Sequence, residues 1–268
     1  MQPVHGVFKN QLLAALAPTE ANRISPHLEY VPLKLGDVLY ESGCTLNYVY
    51  FPADCIISIL YVLEDGSSAE VAIVGLEGLL GVSLFMGGET TTSRAVVQSA
   101  GHAYRVPAYW IKAEFGKAGP VMRLLLRYTQ ALIAQMTQTA VCNRHHTIEQ
   151  QLCRWLLLSL DRLPSNSILM TQDLIANMLG VRREGVTDAA GKLQRAGLIR
   201  YVRGRIDVLD RLGLEARVCE CYAVVKVEFQ RLLSDIPKGD PNQVLGVSRP
   251  ERRSESPAPT RQFAAKTS

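Results

Sequence analysis

The apolar residues change their period at Pro120, and that change constrains the architecture more than any other feature of the chain. Before it, from about Leu28 to Ala108, short runs of Val, Ile and Tyr are punctuated by turn signals: Gly36-Asp37, Ser42-Gly43, Pro52-Ala53-Asp54, Glu64-Asp65-Gly66 and Ser99-Ala100-Gly101. Short strands at this spacing predict a sandwich or a jelly-roll barrel. Residues from Phe8 to Leu16 predict a short helix on its outside. After Pro120, Leu125, Tyr128, Leu132 and Met136 recur at steps of three and four, which predicts an amphipathic helix of about seven turns. Leu124, Leu126 and Ile133 spread the apolar surface beyond one stripe. Such a helix can face its own domain on one side and a partner on the other, or lie in the core of a monomer; periodicity does not separate the two.

Thr147, with Gln150 three residues later, makes a capping-box start for a second helix that ends before Pro164-Ser165-Asn166. The stretch "MTQDLIANMLGVRREGVTDAAGKLQRAGLI" follows from Met170. Thr171 can cap a helix with Asp173 in its first turn, and Leu174, Ile175, Met178 and Leu179 supply an apolar face. Gly180 stops that helix and turns the chain. Val181, Val186, Ala189, Ala190 and Leu193 form the buried side of the next helix, which Gly197 ends before a strand at Leu198-Ile199. "RYVRGRIDVLD" reads as two β-rich pieces around Gly204, and one final helix is expected to run from Arg211 to Ile236. Two helices, a Gly-bearing turn and a returning strand predict a winged helix-turn-helix.

The fold class is therefore α+β: a β-rich jelly-roll domain over 1–118, a connecting helix over 119–146, a winged helix-turn-helix domain over 147–236, and a tail over 237–268. The tail is rich in Pro, Ser and charge without apolar periodicity, and is expected to be disordered.

On the second helix of the motif, Arg183, Glu184, Thr187 and Asp188 cluster near the N-terminus, the end that a recognition helix presents to base edges. Arg can pair bidentately with guanine, and Glu can accept from cytosine N4. Thr171, Arg182, Lys192, Arg203 and Arg205 are placed for phosphate, as are Arg195 farther along the helix and the wing's Arg200. The bland alternative is a solvated helix of mixed charge. Net charge is +4 with a pI near 8.7, which permits nucleic-acid binding without demanding it.

No run is long and apolar enough to span a membrane, since Arg123 and Arg127 interrupt the best one, and the N-terminus lacks the pattern of a secretory signal. A cytoplasmic location is expected. The six cysteines, Cys44, Cys55, Cys142, Cys153, Cys219 and Cys221, contain no CxxC pair. Cys219 and Cys221 are too close in sequence for an ordinary zinc pair, so the expectation is packing thiols, with no metal and no cofactor. An enzyme is not expected. A metal-binding β-domain of the cupin type would need a His-x-His, and none occurs; neither a Gly-x-Ser-x-Gly elbow nor a phosphate-cradling loop is present. A β-domain that serves as a protein-interaction module remains the other alternative.

The pattern Thr171, Ile175-Ala176, Leu179-Gly180-Val181, Arg183-Glu184, Val186, Leu193 and Leu198-Ile199 resembles the DNA-binding segment of the Crp/Fnr transcription regulators, the cyclic-AMP receptor protein family. The order of parts is similar too, over roughly 28–233. The resemblance implies a cyclic-nucleotide-binding-like β-roll as sensor and a homodimer joined along the long helix, by Leu125, Tyr128, Leu132 and Met136. It also implies a recognition helix in the major groove with Arg183 and Glu184 at base-reading positions, and RNA polymerase as a further partner. Arg182 departs from the family's usual Ser or Thr cap, and Asp188 stands where a third base-reading residue is often Arg. Gly185 and Gly191 lie inside the helix, each costing ~1 kcal/mol against Ala.

In family members that bind cyclic nucleotides, a Gly-Glu-Leu segment precedes an Arg followed by Ser, Thr or Ala. Here Gly81 and Arg94-Ala95 align, but Val82 takes the Glu position, while Glu77 and Glu89 are out of register. The effector is thus unknown, and a cyclic nucleotide is not expected. The first cysteine is Cys44, unlike the N-terminal cluster of an iron–sulfur sensor, and His27 and His102 carry no haem signature.

Overall fold

The computed structural model describes residues 8–234. Seven strands build the N-terminal half: β1 (Glu29–Leu33), β2 (Val38–Tyr40), β3 (Tyr48–Pro52), β4 (Ile56–Val62), β5 (Ser68–Val74), β6 (Arg94–Ser99) and β7 (Gly101–Pro107). They form two antiparallel sheets, ordered β1-β7-β3 and β2-β6-β4-β5. Asp65-Gly66 turns the β4–β5 hairpin, where Gly66 adopts φ 82° and Asp65 accepts from the Ser67 N–H. Phe51, Ile57, Ile59, Val74, Val97 and Val106 meet between the sheets in one core.

Strand β4 does not alternate: Ile56 to Leu60 are all buried. Both of its faces are covered, since Ile56, with Ile73 of β5, joins a second core made with the C-terminal helices. A strand covered twice reads as a continuous apolar run. Outside the sheets, α1 (Gln11–Ala14) is capped by Asn10, whose side chain also donates to the Pro52 and Gly78 carbonyls. Two further helices, α2 (Pro18–Ile24) and α3 (Ala108–Gly116), were not expected from the apolar pattern.

The long helix α4 (Pro120–His145) begins with Pro at its first position and runs 26 residues. Leu125, Tyr128 and Leu132 are buried in the protomer's own core, with Met136 packed against it. Tyr128 donates to the Leu79 carbonyl at 2.9 Å. These four residues, expected at a dimer contact, are therefore engaged within one chain. The apolar residues that α4 leaves exposed are Leu126, Ile133 and Val141. The physical reason is that a helix with apolar residues on two faces satisfies its nearest sheet first.

Beyond α4 come α5 (Ile148–Leu160), β8 (Ser167–Leu169), α6 (Gln172–Leu179), α7 (Arg183–Arg195), β9 (Ile199–Val202) and β10 (Arg205–Val208). The Thr147–Gln150 capping box is formed in both directions. The final helix is not continuous. It divides into α8 (Arg211–Arg217) and α9 (Cys221–Leu232), because Val218 is extended at φ −69°, ψ 152°. The break lets α9 turn back along α4, with Phe229 edge-on to Tyr128 at 6.5 Å. The tail expected over 237–268 lies outside the described residues.

Arg162, just after α5, ties these parts together. Its side chain donates to Glu77 at 2.7 Å, to Gln135 of α4 at 3.0 Å and to the Leu158 carbonyl at 2.8 Å. Its guanidinium also lies 5.7 Å from the centre of the Phe229 ring of α9. Gly75 at the end of β5 leaves room for it, since a Cβ there would fall 2.7 Å from the Arg162 stem.

A second polar chain crosses from the sheet to α5. Ser58 of β4 contacts Glu70 at 2.5 Å and Gln98 at 2.9 Å, and Gln98 donates to Ser159 at 3.1 Å. One hydroxyl hydrogen cannot serve two acceptors, so a proton on Glu70 completes the set. Burial raises the Glu70 carboxyl to about 7, partly offset by the Ser58 hydrogen bond and by Arg154 and Arg162. Between its ordinary value of 4.5 and about 7, the folded chain holds a proton that the unfolded chain has released. Stability from this group is thus full below about 4.5 and lost progressively as pH rises to about 7. The melting temperature should be several degrees higher at pH 6 than at pH 8, and Glu70→Gln should flatten that difference. A wild-type chain whose thermal unfolding shows no such dependence, or shows it unchanged in Glu70→Gln, would contradict this.

Candidate nucleic-acid interface

Thr171 caps α6 by accepting from the Leu174 N–H at 3.3 Å, leaving its hydroxyl hydrogen free to donate outward. Gly180 ends α6 in the left-handed region at φ 65°, and its N–H returns to the Ala176 and Asn177 carbonyls. This sharp stop sets α7 across α6. Val186, Ala189, Ala190 and Leu193 bury one side of α7, while Arg183, Glu184, Thr187, Asp188 and Lys192 are exposed on the other. Arg182 occupies the N-cap without any side-chain cap bond, so the first N–H groups of α7 face outward.

The wing is the hairpin β9–β10 in the sheet β8-β10-β9. Val202 pairs with Arg205, leaving a two-residue loop in which Arg203 has φ 49° and Gly204 φ 76°. Both positive angles suit the hairpin's twist, and Arg is held in a region that costs a non-glycine residue energy.

Thr171, Arg183 and Arg203 line one cleft between the start of α6, the start of α7 and the wing. Gln172, Asp173 and Tyr201 line it too; the sequence pointed to Asp173 only as a first-turn residue of the helix and to the other two not at all. Their signal was weak: two polar residues after a helix cap, and one Tyr in a strand. Asp173 lies 3.4 Å from Arg183 Nε, an exposed pair of small energetic weight. Gln172 accepts from the Thr187 hydroxyl at 2.7 Å, which turns Thr187 toward α6.

The remaining residues sit in different settings. Lys192 pairs with Asp188 at 2.9 Å, so the Asp188–Glu184 repulsion is partly relieved along the same helix. Arg205 and Arg200 both bind Asp207, and their hydrogen bonds hold its carboxyl down at about 2. Arg182 and Arg203 are exposed and enter no ion pair among the described residues.

At the other end of the chain, Gly81 adopts φ 112° before a short 3-10 turn of Val82–Leu84. Arg94 opens β6, and its Nε faces the Glu41 carboxylate at 3.2 Å. Ala95 is fully buried, and Val82 packs on the core. Glu77 is bound to Arg162 and Glu89 to Lys112 at 2.8 Å, so each nearby carboxylate has a cation of its own. Among the described residues, no helix is long and apolar enough to cross a membrane.

The two glycines inside α7 differ. A Cβ on Gly185 would fall 2.5 Å from Ile148 Cδ1, whereas at Gly191 the nearest atom is Arg195 Nη1 at 3.4 Å. Gly191→Ala should therefore stabilise the chain by about 0.5–1 kcal/mol in urea unfolding without DNA. Gly185→Ala should gain less, because Ile148 must move. Destabilisation by Gly191→Ala would show that the helix is constrained there in a way its surroundings do not reveal.

Residues 150–217 match the Crp-like helix-turn-helix domain. No curated protein matches the chain. Among solved structures, it is similar to a putative Crp/Fnr-family transcriptional regulator from Eubacterium rectale, at 18% identity and a TM-score of 0.62, covering 78% of this chain and 97% of that one. FixK2 from Bradyrhizobium japonicum aligns at 17% identity and a TM-score of 0.60, covering 72% and 98%. A CRP/FNR-family regulator from Thermus thermophilus aligns at 23% and 0.54, covering 73% and 98%. These likenesses show the fold: a β-rich N-terminal half, a long helix and a C-terminal winged helix-turn-helix.

Proposed function

We propose that this chain, which has the Crp/Fnr fold and carries a Crp-like helix-turn-helix domain, is a sequence-specific transcription regulator that binds DNA as a homodimer. The β-roll over 1–118 serves as sensor, the helix over 119–146 joins the two copies, and the winged domain over 147–236 meets DNA. The observation that carries the reading is the α6–α7 pair, with Arg183 and Glu184 exposed at the N-terminus of α7 and the wing's Arg203 in the same cleft. In this reading α7 enters the major groove. Arg183 and Glu184 read base edges, with Thr187 and Asp188 one turn along. Thr171, Arg182, Lys192, Arg203 and Arg205 meet phosphate. The strained backbone of Arg203 supports its part, because it keeps a long cation at the wing tip.

RNA polymerase is the expected further partner. The effector of the β-roll is not a cyclic nucleotide in this reading: Val82 offers no acceptor for a ribose hydroxyl, and Arg94 faces a carboxylate.

Arg183 and Arg203 separate base reading from phosphate contact. On an operator selected from random DNA, Arg183→Ala should cost ~1–3 kcal/mol and relax preference at one base pair per half-site. Arg203→Ala should weaken binding to selected and random DNA alike, and lower the salt slope by about one per contact. Equal losses on both DNAs for Arg183→Ala would remove its base-reading role. Absence of any preferred sequence in the selection would remove the function itself.

The dimer reading rests on α4. Arg123, Leu126, Gln130, Ile133, Thr137, Ala140 and Arg144 are exposed on it, a seam of alternating three- and four-residue steps. Ile133→Asp should convert a dimer into a monomer in light scattering and weaken operator binding at least tenfold. A wild-type chain that is monomeric at micromolar concentration, or a variant that still dimerises, would exclude this seam.

A further inference from the structure

The end of α4 and the α8–α9 corner bring together four metal-ligating side chains: Cys142, His146, Cys219 and Cys221. Their donor atoms all lie within 4.8 Å of one another. Cys142 lies on the last turn of α4, and His146 is the extended C-cap that follows it, its N–H still bonded to the Cys142 carbonyl at 3.0 Å. Cys219 lies in the break after α8, and Cys221 is the first residue of α9. The two-residue spacing had argued against a zinc pair. It fails as an exclusion here because one cysteine sits in irregular backbone and the other in a helix, so both thiols turn to the same point.

We propose that these four residues form a closed, tetrahedral Zn²⁺ site that joins the end of the long helix to the α8–α9 corner. With Zn–S near 2.3 Å and Zn–N near 2.0–2.1 Å, a tetrahedral site needs S···S of about 3.8 Å and S···N of about 3.6 Å. Cys142 Sγ and Cys219 Sγ are 3.6 Å apart, and Cys221 Sγ and His146 Nδ1 are 3.4 Å apart. The sulfur–sulfur edge is far from the 2.03–2.05 Å of a disulfide. Three buried thiols with one imidazole are the donor set of a structural zinc site, with no position left for substrate.

The surroundings fit ligands rather than packing thiols. His146 presents Nδ1 to Cys221, while its Nε2 lies 3.4 Å from the Glu220 carboxylate, the arrangement that orients a metal-bound imidazole. Gln138 Nε2 donates to Cys221 Sγ at 3.0 Å, a bond that a thiolate accepts well. Three thiolates and a neutral imidazole around Zn²⁺ carry a net −1. Arg154, a buried guanidinium that acts electrostatically on Cys142, offsets it. The next residue after His146 is Thr147, the N-cap of α5. Metal bound here therefore holds α9 against α4 at the point where the chain enters the winged domain, and its binding adds directly to folding.

The test uses the full-length chain, reduced and purified without chelator. Elemental analysis should find one zinc per chain. After the metal is stripped, titration with Co²⁺ should give the thiolate charge-transfer and visible bands of a tetrahedral cobalt site, and Zn²⁺ should displace it. Cys219→Ser and His146→Ala should lower cobalt affinity at least a hundredfold, and Glu220→Gln about tenfold. Cys44→Ser, exposed and remote from the cluster, should leave affinity unchanged. The wild-type titration needs no variant to fold: a reduced wild-type chain that binds no metal stoichiometrically and gives no tetrahedral cobalt spectrum overturns the proposal. So does a Cys142–Cys219 disulfide in the chain as purified, or iron or copper in place of zinc.

Discussion

Arg162 meets Glu77 from the loop after β5, Gln135 from α4, the Leu158 carbonyl within α5 and the Phe229 ring of α9, so one buried guanidinium ties the β-roll to three helices. A buried cation without partners would be prohibitive, which makes each of those contacts a condition on the others. Removal of Glu77 or Gln135 would leave charge or donors unpaired, so the β-roll and the helices are registered to each other by chemistry as well as by apolar packing. Gly75 is part of the same constraint, since any side chain there would displace the Arg162 stem. The Ser58–Glu70–Gln98–Ser159 chain repeats the principle one strand away, with a proton in place of a fixed cation.

The same constraint governs how the α6–α7 surface is offered. Because Ile56 and Ile73 share a core with Ile175, Leu179 and Val186, the helix-turn-helix rests on the β4–β5 hairpin instead of standing apart. Its outward charges are provisionally occupied: Arg183 by Asp173, Lys192 by Asp188, Arg205 by Asp207. Such exposed pairs are worth little in water, and in the proposed DNA-binding role they would be exchanged for phosphate or a base edge. They keep the free surface from presenting a row of unpaired cations, and in that role the exchange would make affinity depend on salt.

Much of the local structure is legible in the residues because short-range chemistry decides it. Thr147 and Gln150 form their capping box, Thr171 caps α6, Gly180 takes the left-handed turn and Asp65-Gly66 closes a hairpin. Each depends on neighbours within a few positions. The seven-turn helix after Pro120 was also legible, since its period of three and four persists over 26 residues. The α8–α9 break was not, because Val218 is an ordinary helix-compatible residue and its extended backbone is set by packing of α9 on α4.

The order and type of the major elements, the two apolar periods and the polar inventory of α7 are written in the residues themselves. These follow from repeating patterns and from turn residues whose backbone preferences are intrinsic. Long-range packing fixes which face of α4 is left exposed, that Arg94 faces Glu41, and that Cys142 and His146 meet Cys219 and Cys221. Each of these joins residues far apart in the chain. A linear pattern carries no distance between them; the packing of buried surfaces sets that distance.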